Sequence, residues 1–252
     1  MLFYGKTDVG KRRAANQDDF IVKTYSADTL VAVVCDGMGG ANGGNIASNI
    51  ASSAFVRTVD ESEHDNSDFF GVTVEKVLDL LKEATAEANI SVYDRSGEDP
   101  SLIGMGTTLV GCVLRGEELC VVNVGDSRLY VIRQDGTIEQ ISHDHSYVQY
   151  LVDLGKMTPE EAKNSKNKNI ITRAVGTERN VESDTFTVKL SAGDAVLLCS
   201  DGLTNLVDDG EIAKEVRNAV QTGDLGTACE NLISLANERG GLDNITSVLL
   251  SV

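Results

Sequence analysis

The chain opens with short apolar stretches separated by polar breaks. LFYGKTDV, DDFIVKTY and TLVAVVCDG carry alternating or continuous β-branched residues broken by Gly and Asp, the pattern of strands. The period then changes. Residues 45–59 read as a helix rich in small side chains, and residues 74–93 place Val74, Val77, Leu78, Leu81, Ala84 and Ala88 on one helical face. Between them ESEHDNSD predicts a polar loop.

A second strand block follows in GTTLVGCVLR, ELCVVNVGDS, RLYVIR and GTIEQIS. Its joints RGEE and QDG read as tight turns, which makes these strands antiparallel neighbours. From 145 to 176 the pattern becomes irregular: a short helix, then the Lys/Asn-rich NSKNKN. DTFTVKL and DAVLLCSDG return to strand character, and helices near 209–220 and 224–239 precede a last strand, NITSVLLSV. The expectation is about ten mostly antiparallel strands with four main helices, an α+β layered architecture. Two prolines and no low-complexity stretch leave no obvious linker, so residues 1–252 read as one domain.

Composition narrows the function. With 39 acidic and 22 basic side chains the net charge is −17, which argues against nucleic acid as the main ligand because a phosphate backbone needs a basic surface. No apolar run approaches the roughly 20 residues of a membrane span, and the N-terminus MLFYGKTDVGKRR lacks a signal-peptide core. Five cysteines, an odd number without a C-x-x-C pair, read as buried free thiols and suit the cytoplasm.

The candidate chemistry lies in carboxylates at strand ends. Asp36 ends VAVVCDGMGG, Asp126 ends CVVNVGDSR, Asp201 ends AVLLCSDGLT, and Asp243 opens the last strand in GGLDNITSV. Each alone is ordinary turn chemistry. Together, on the most hydrophobic strands, they would repel unless protonated or bound to cations. Oxygen ligands without a Cys/His cluster point to Mg²⁺ or Mn²⁺, and a binuclear site of that kind activates water and neutralises a phosphoryl group. Lys11-Arg12-Arg13 is a local basic site. It reads as a solvated surface run or, through an arginine fork, as a phosphate grip.

These residues resemble the metal-dependent protein serine/threonine phosphatases of the PPM or PP2C type. The matches run in family order: Arg13-x-x-Asn16-Gln17-Asp18, Asp36-Gly37-Met38-Gly39-Gly40, Gly104-Met105-Gly106-Thr107-Thr108, then Gly125-Asp126-Ser127-Arg128. Ile171-Thr172-Arg173-Ala174, Ser200-Asp201-Gly202-Leu203-Thr204 and Asp243-Asn244-Ile245-Thr246 complete them. Compact length and Met38 look like the bacterial branch.

The resemblance implies a β-sandwich of two antiparallel sheets flanked by helix pairs, with a mobile flap at about 145–180. It implies hydrolysis of phosphoserine and phosphothreonine on proteins by a water activated at a binuclear Mn²⁺ or Mg²⁺ centre. Asp36 would bridge two tightly held ions, the Gly37 carbonyl would hold one, and Asp201 and Asp243 would complete the other. Asp18 would hold an ion through a water, Arg13 would grip the substrate phosphate, and Asp126 with Asp201 would hold a third, weaker ion. The implied setting is a cytoplasmic monomer opposing a cellular Ser/Thr kinase.

Two departures stand out. Met38 occupies the place where many eukaryotic members carry a histidine proposed to protonate the leaving group, and a thioether cannot do so. His145 in HDHS is a substitute, although a polar-loop histidine is ordinarily exposed. KNSKNKN at 163–169 is more polar than the corresponding flap stretch of bacterial relatives, which bears on substrate preference. Competing readings are a hydrolase of small phosphoesters using the same ions and a catalytically dead binding module. A calcium protein is a third, but the D-x-[DN]-x-[DN]-G loop is missing.

Overall fold

The computed structural model describes residues 1–65 and 72–252. Its strands are β1 (Leu2–Asp8), β2 (Asp18–Thr24), β3 (Thr29–Met38), β4 (Gly106–Thr107), β5 (Leu109–Arg115), β6 (Glu118–Val124), β7 (Arg128–Ile132), β8 (Ile138–Gln140), β9 (Asp184–Lys189), β10 (Ala195–Cys199) and β11 (Ile245–Ser251). The helices are α1 (Gly40–Asp65), α2 (Val74–Glu98), α3 (Tyr147–Asp153), α4 (Pro159–Lys163), α5 (Asp201–Thr204), α6 (Asp209–Thr222) and α7 (Leu225–Glu238). One sheet has the order β1-β11-β10-β7-β8 and the other β2-β3-β5-β6-β9, with β4 paired to β3. Every pairing is antiparallel.

Side-chain alternation explains why the central strands are apolar throughout. In β3, Leu30, Ala32 and Val34 face the other sheet, while Val31, Val33 and Cys35 face α1 and α2. In β10, Val196 and Leu198 enter the space between the sheets, while Ala195, Leu197 and Cys199 meet α6 and α7. Both faces of these strands are therefore buried, and each large side chain contributes roughly 1.5–3 kcal/mol by leaving water. The result is a helix–sheet–sheet–helix sandwich, as the resemblance implied.

Three local expectations need correction. Glu61–Asp65, within the stretch predicted as loop, continues α1; residues 66–68 of that stretch lie outside the described residues. β6 and β7, predicted as neighbours, belong to different sheets. The connection Gly125-Asp126-Ser127 carries the chain from one sheet to the other, turned by Gly125 at φ 101°. The irregular segment after His145 holds two short helices, α3 and α4, the second opened by a Thr158–Glu161 capping box. No helix among the described residues is long and apolar enough to cross a membrane.

Candidate active site and metal centre

The two sheets bring their acids to one rim. Asp18 and Asp36 are register partners on β2 and β3. Asp126 lies on the crossing between the sheets, Asp201 follows β10, and Asp243 precedes β11. Asp36 sits two residues inside the end of β3, and Asp243 two residues before β11 starts. A cavity of about 400 Å³ opens at this rim, and Asp36, Asp126, Asp201, Asp243, Arg13 and Gly37 all line it. Asp18 is buried behind it, 7% exposed.

Asp18 and Asp201 accept from side chains that motif reading had left without a role, and the Asp36 backbone is held by two more. Asp18 Oδ2 accepts from Ser200 Oγ and Thr246 Oγ1, both at 2.7 Å, which ties β2 to the β10 and β11 ends. Thr108 Oγ1 accepts the Asp36 N–H at 2.9 Å, and the Asp36 carbonyl accepts from Thr107 Oγ1 at 2.9 Å. Asp201 Oδ2 accepts from Asn205 Nδ2 at 2.9 Å. Asn244 takes the Gln17 N–H on its Oδ1 and donates to the Val9 and Ala15 carbonyls, pinning the Arg13 loop beside Asp243. Apart from Asn205 these residues stood inside the quoted motifs, but a side chain that acts by holding another group carries no chemical signature of its own. Gly37 has a steric reason: a Cβ there would lie 2.0 Å from the Gly44 carbonyl oxygen.

Burial and mutual proximity raise the carboxyl pKa values. Burial pushes Asp18 to about 7, opposed by the Ser200 and Thr246 hydroxyls. Asp36 is held well above the ordinary range by burial, then by the charges of Asp18, Asp201, Asp126 and Asp243. Burial and Asp201 lift Asp126 to about 8, and burial and Asp243 lift Asp201 to about 6. Asp18 Oδ1 and Asp201 Oδ1 are buried and accept no hydrogen bond. Among the described residues no three His, Cys, Asp or Glu side chains stand together as a closed ligand cluster. The all-oxygen donors, the raised pKa values and the two orphaned oxygens nonetheless fit a hard divalent cation.

Arg13 is placed otherwise than as a free phosphate grip. Its Nη2 donates to Asp243 Oδ2 at 2.7 Å, with the arginine side chain half exposed. That contact uses one of five donors, and the guanidinium still lines the cavity.

His145 overturns the expectation of exposure: it is 6% exposed. Its Nδ1 accepts the Gly125 N–H at 3.0 Å, and its backbone N–H donates to the Gly125 carbonyl at 3.0 Å. Its Nε2 lies 3.0 Å from Arg173 Nη1 and 3.2 Å from Asp184 Oδ2, and Arg173 donates to the other Asp184 oxygen at 2.8 Å. Burial lowers the imidazole pKa. His145 does not line the cavity, so it pins the Asp126 connection and is not placed to protonate a leaving group. Met38 does line it, as predicted, and so does Asn169 of the polar 163–169 stretch. Lys168 reaches an adjoining cavity that also touches Asp126 and Asp201.

All five cysteines are buried and unpaired. Burial lifts Cys112 and Cys199 to about 12, which removes them as nucleophiles at neutral pH.

Comparison with known proteins agrees with this geometry. The family model described as protein phosphatase 2C matches residues 9–231. The chain is 36% identical over 245 residues to the serine/threonine phosphatase Stp of Listeria monocytogenes, covering 97% of this chain and 93% of that protein. It is 36% identical over 246 residues to the protein phosphatase PhpP of Streptococcus pneumoniae, covering 98% and 95%. The crystal structure of the Mycobacterium tuberculosis serine/threonine phosphatase PstP superposes with a TM-score of 0.85 at 34% identity, covering 100% of this chain and 98% of that one. A structure of the PstP catalytic domain in complex with two manganese ions gives 0.80 at 34% identity, covering 98% and 96%. By sequence, by fold and by the acids at its rim, the chain belongs to the protein phosphatase 2C family.

Proposed function

We propose that the chain, acting as one catalytic unit, hydrolyses phosphoserine and phosphothreonine on proteins and so opposes a Ser/Thr kinase. The observation that carries the reading is the cluster of Asp18, Asp36, Asp126 and Asp201. All four carboxyls are raised by burial and by neighbouring carboxylates, Asp243 among them, two oxygens have no partner, and Arg13 stands at the same mouth. Asp36 would be shared between two Mn²⁺ or Mg²⁺ ions, with the Gly37 carbonyl on one and Asp201 and Asp243 on the other. Asp18 would act through a water, and Asp126 with Asp201 would take a third, weaker ion. Bound there, such ions acidify water and offset charge on the phosphoryl oxygens.

The chain's own groups do the rest. Arg13 turns its remaining N–H donors to the phosphate and keeps Asp243 in place through Nη2. Ser200 and Thr246 hold Asp18, and the threonines at 107 and 108 hold the Asp36 backbone, so the acids need no reorganisation when substrate enters. With Met38 apolar and His145 committed to Gly125 and Asp184, the leaving alkoxide takes its proton from water in the open cavity.

The test is hydrolysis of a phosphothreonine peptide. Activity should vanish on chelation and return with Mn²⁺, and kcat/KM on the peptide should exceed that on p-nitrophenyl phosphate. Full activity in a verified metal-free preparation refutes the metal assignment. A preference for the small ester returns the reading to a small-phosphoester hydrolase.

A further inference from the structure

Beside the catalytic cavity lies a second one of about 380 Å³, within the size range of a ligand site. Met38 and Ile171 are walls of both. A chain that places a phosphoresidue in the first therefore has a neighbouring residue at the mouth of the second. The lining is mixed: Val181 adds an apolar side chain beside the shared walls, and the exposed Glu178 and Glu182 also line the groove.

The charges at the rim do not cancel. Arg173, the cation of the groove, is engaged by Asp184 at 2.8 Å. It stands 3.8 Å from Glu182, whose side chain is 84% exposed, a loose and solvated contact. Glu178 makes no ion pair among the described residues. Arg179, next along the chain, is not part of the wall. The two glutamates are thus the net charge that an incoming side chain meets.

The wall is also built in advance. Asn89 of α2, 1% exposed, donates to the carbonyls of Glu178 and Arg179, each at 3.0 Å, and accepts the Gly176 N–H at 2.7 Å. Gly176 has φ +87°, and a Cβ there would meet Val92 at 2.1 Å, so the turn closes tightly on α2. Val175 and Thr107 exchange backbone hydrogen bonds at 2.8 and 3.0 Å, and the Thr107 hydroxyl in turn donates to the Asp36 carbonyl. The groove and the acid rim are held by one residue. That is the condition for a subsite in register with the chemistry, at little ordering cost on binding.

We propose that this groove is a specificity subsite that takes an arginine or lysine flanking the phosphoresidue of the protein substrate. The proposal rests on the protein-phosphatase reading above. Two rim pairs in solvent predict a preference of about 3- to 30-fold in kcat/KM for a basic over an acidic flank.

The experiment uses phosphothreonine peptides identical except for Arg or Glu on either side of the phosphoresidue, with the Arg/Glu ratio of kcat/KM measured within each enzyme. The wild-type ratio should favour Arg and shrink toward one in 0.5 M NaCl. Glu178→Lys/Glu182→Lys should invert the ratio. Glu178→Gln/Glu182→Gln, the milder change should the reversal disturb folding, should bring it within about 2-fold of one. A wild-type ratio of one, or a ratio unmoved in the double variants, overturns the subsite while leaving the phosphatase reading intact. Peptides left uncut while p-nitrophenyl phosphate is turned over overturn the protein-substrate reading and the subsite with it.

Discussion

Replacing Asp36 by Asn should make the metal-free protein more stable and the enzyme inactive. Asp36 is surrounded by Asp18, Asp201, Asp126 and Asp243, all of which raise its pKa after burial. Its folded-state value lies above that of the unfolded chain, so the carboxyl favours folding below about pH 4 and loses that contribution as pH rises through the folded value. Once pH exceeds the raised folded value, a neutral, isosteric amide removes the charge that Asp36 would carry and finds carboxylate acceptors around it. Each pKa unit corresponds to about 1.4 kcal/mol, and solvent in the open cavity screens part of the repulsion, so the relief is on the order of 1–3 kcal/mol. For a chain of this size that is a rise in Tm of about 2–12 °C. The rise should shrink as pH falls below the folded value, where the wild-type carboxyl regains its proton.

Mn²⁺ should have the opposite effect on the pair. Wild type gains about 2.7 kcal/mol at a hundredfold excess over Kd, and Asp36→Asn should lose most of this together with more than nine-tenths of kcat. The assay is thermal unfolding across a pH series, with EDTA or Mn²⁺, beside peptide turnover. A variant whose metal-free Tm never exceeds that of wild type as pH rises refutes the electrostatic reasoning. A wild-type Mn²⁺ shift in the variant refutes Asp36 as the shared ligand.

Two further substitutions separate the other roles. Arg13→Ala should lower kcat/KM about 10- to 1000-fold with little change in metal affinity by calorimetry, and normal kinetics would return Lys11-Arg12-Arg13 to a solvated run or shift the grip to Arg12. Asp126→Ala should bind one ion fewer than wild type and lose much of its peptide turnover while its metal-free Tm does not fall. An unchanged ion count with unchanged kcat removes the third ion, and a lowered Tm with activity intact makes Asp126 a turn residue.

The acid set was legible in the chain because its chemistry is local. A long apolar strand followed by Asp-Gly or Asp-Ser marks a carboxylate delivered to a sheet end, and Asp36, Asp126 and Asp201 each carry that mark. The two-sided burial of β3 and β10 was likewise readable, since their runs lack a polar face. The helices at 74 and beyond 209 were readable, although the first, expected to end at 93, runs on to Glu98.

What the chain alone left open was partnership across distance. That β6 and β7 part into different sheets depends on which faces find cores, and the connection between them looks like any short turn. His145 read as a loop residue because its burial comes from Gly125 and Asp184, 20 and 39 positions away. Asn89 and Thr107 show no chemistry in sequence, yet one holds the groove wall and the other joins it to Asp36. Residue type and spacing determined which side chains are able to hold cations or a phosphate. The tertiary structure decided which of them meet, because repulsion, burial and backbone hydrogen bonds arise only when β2, β10 and β11 end at one rim.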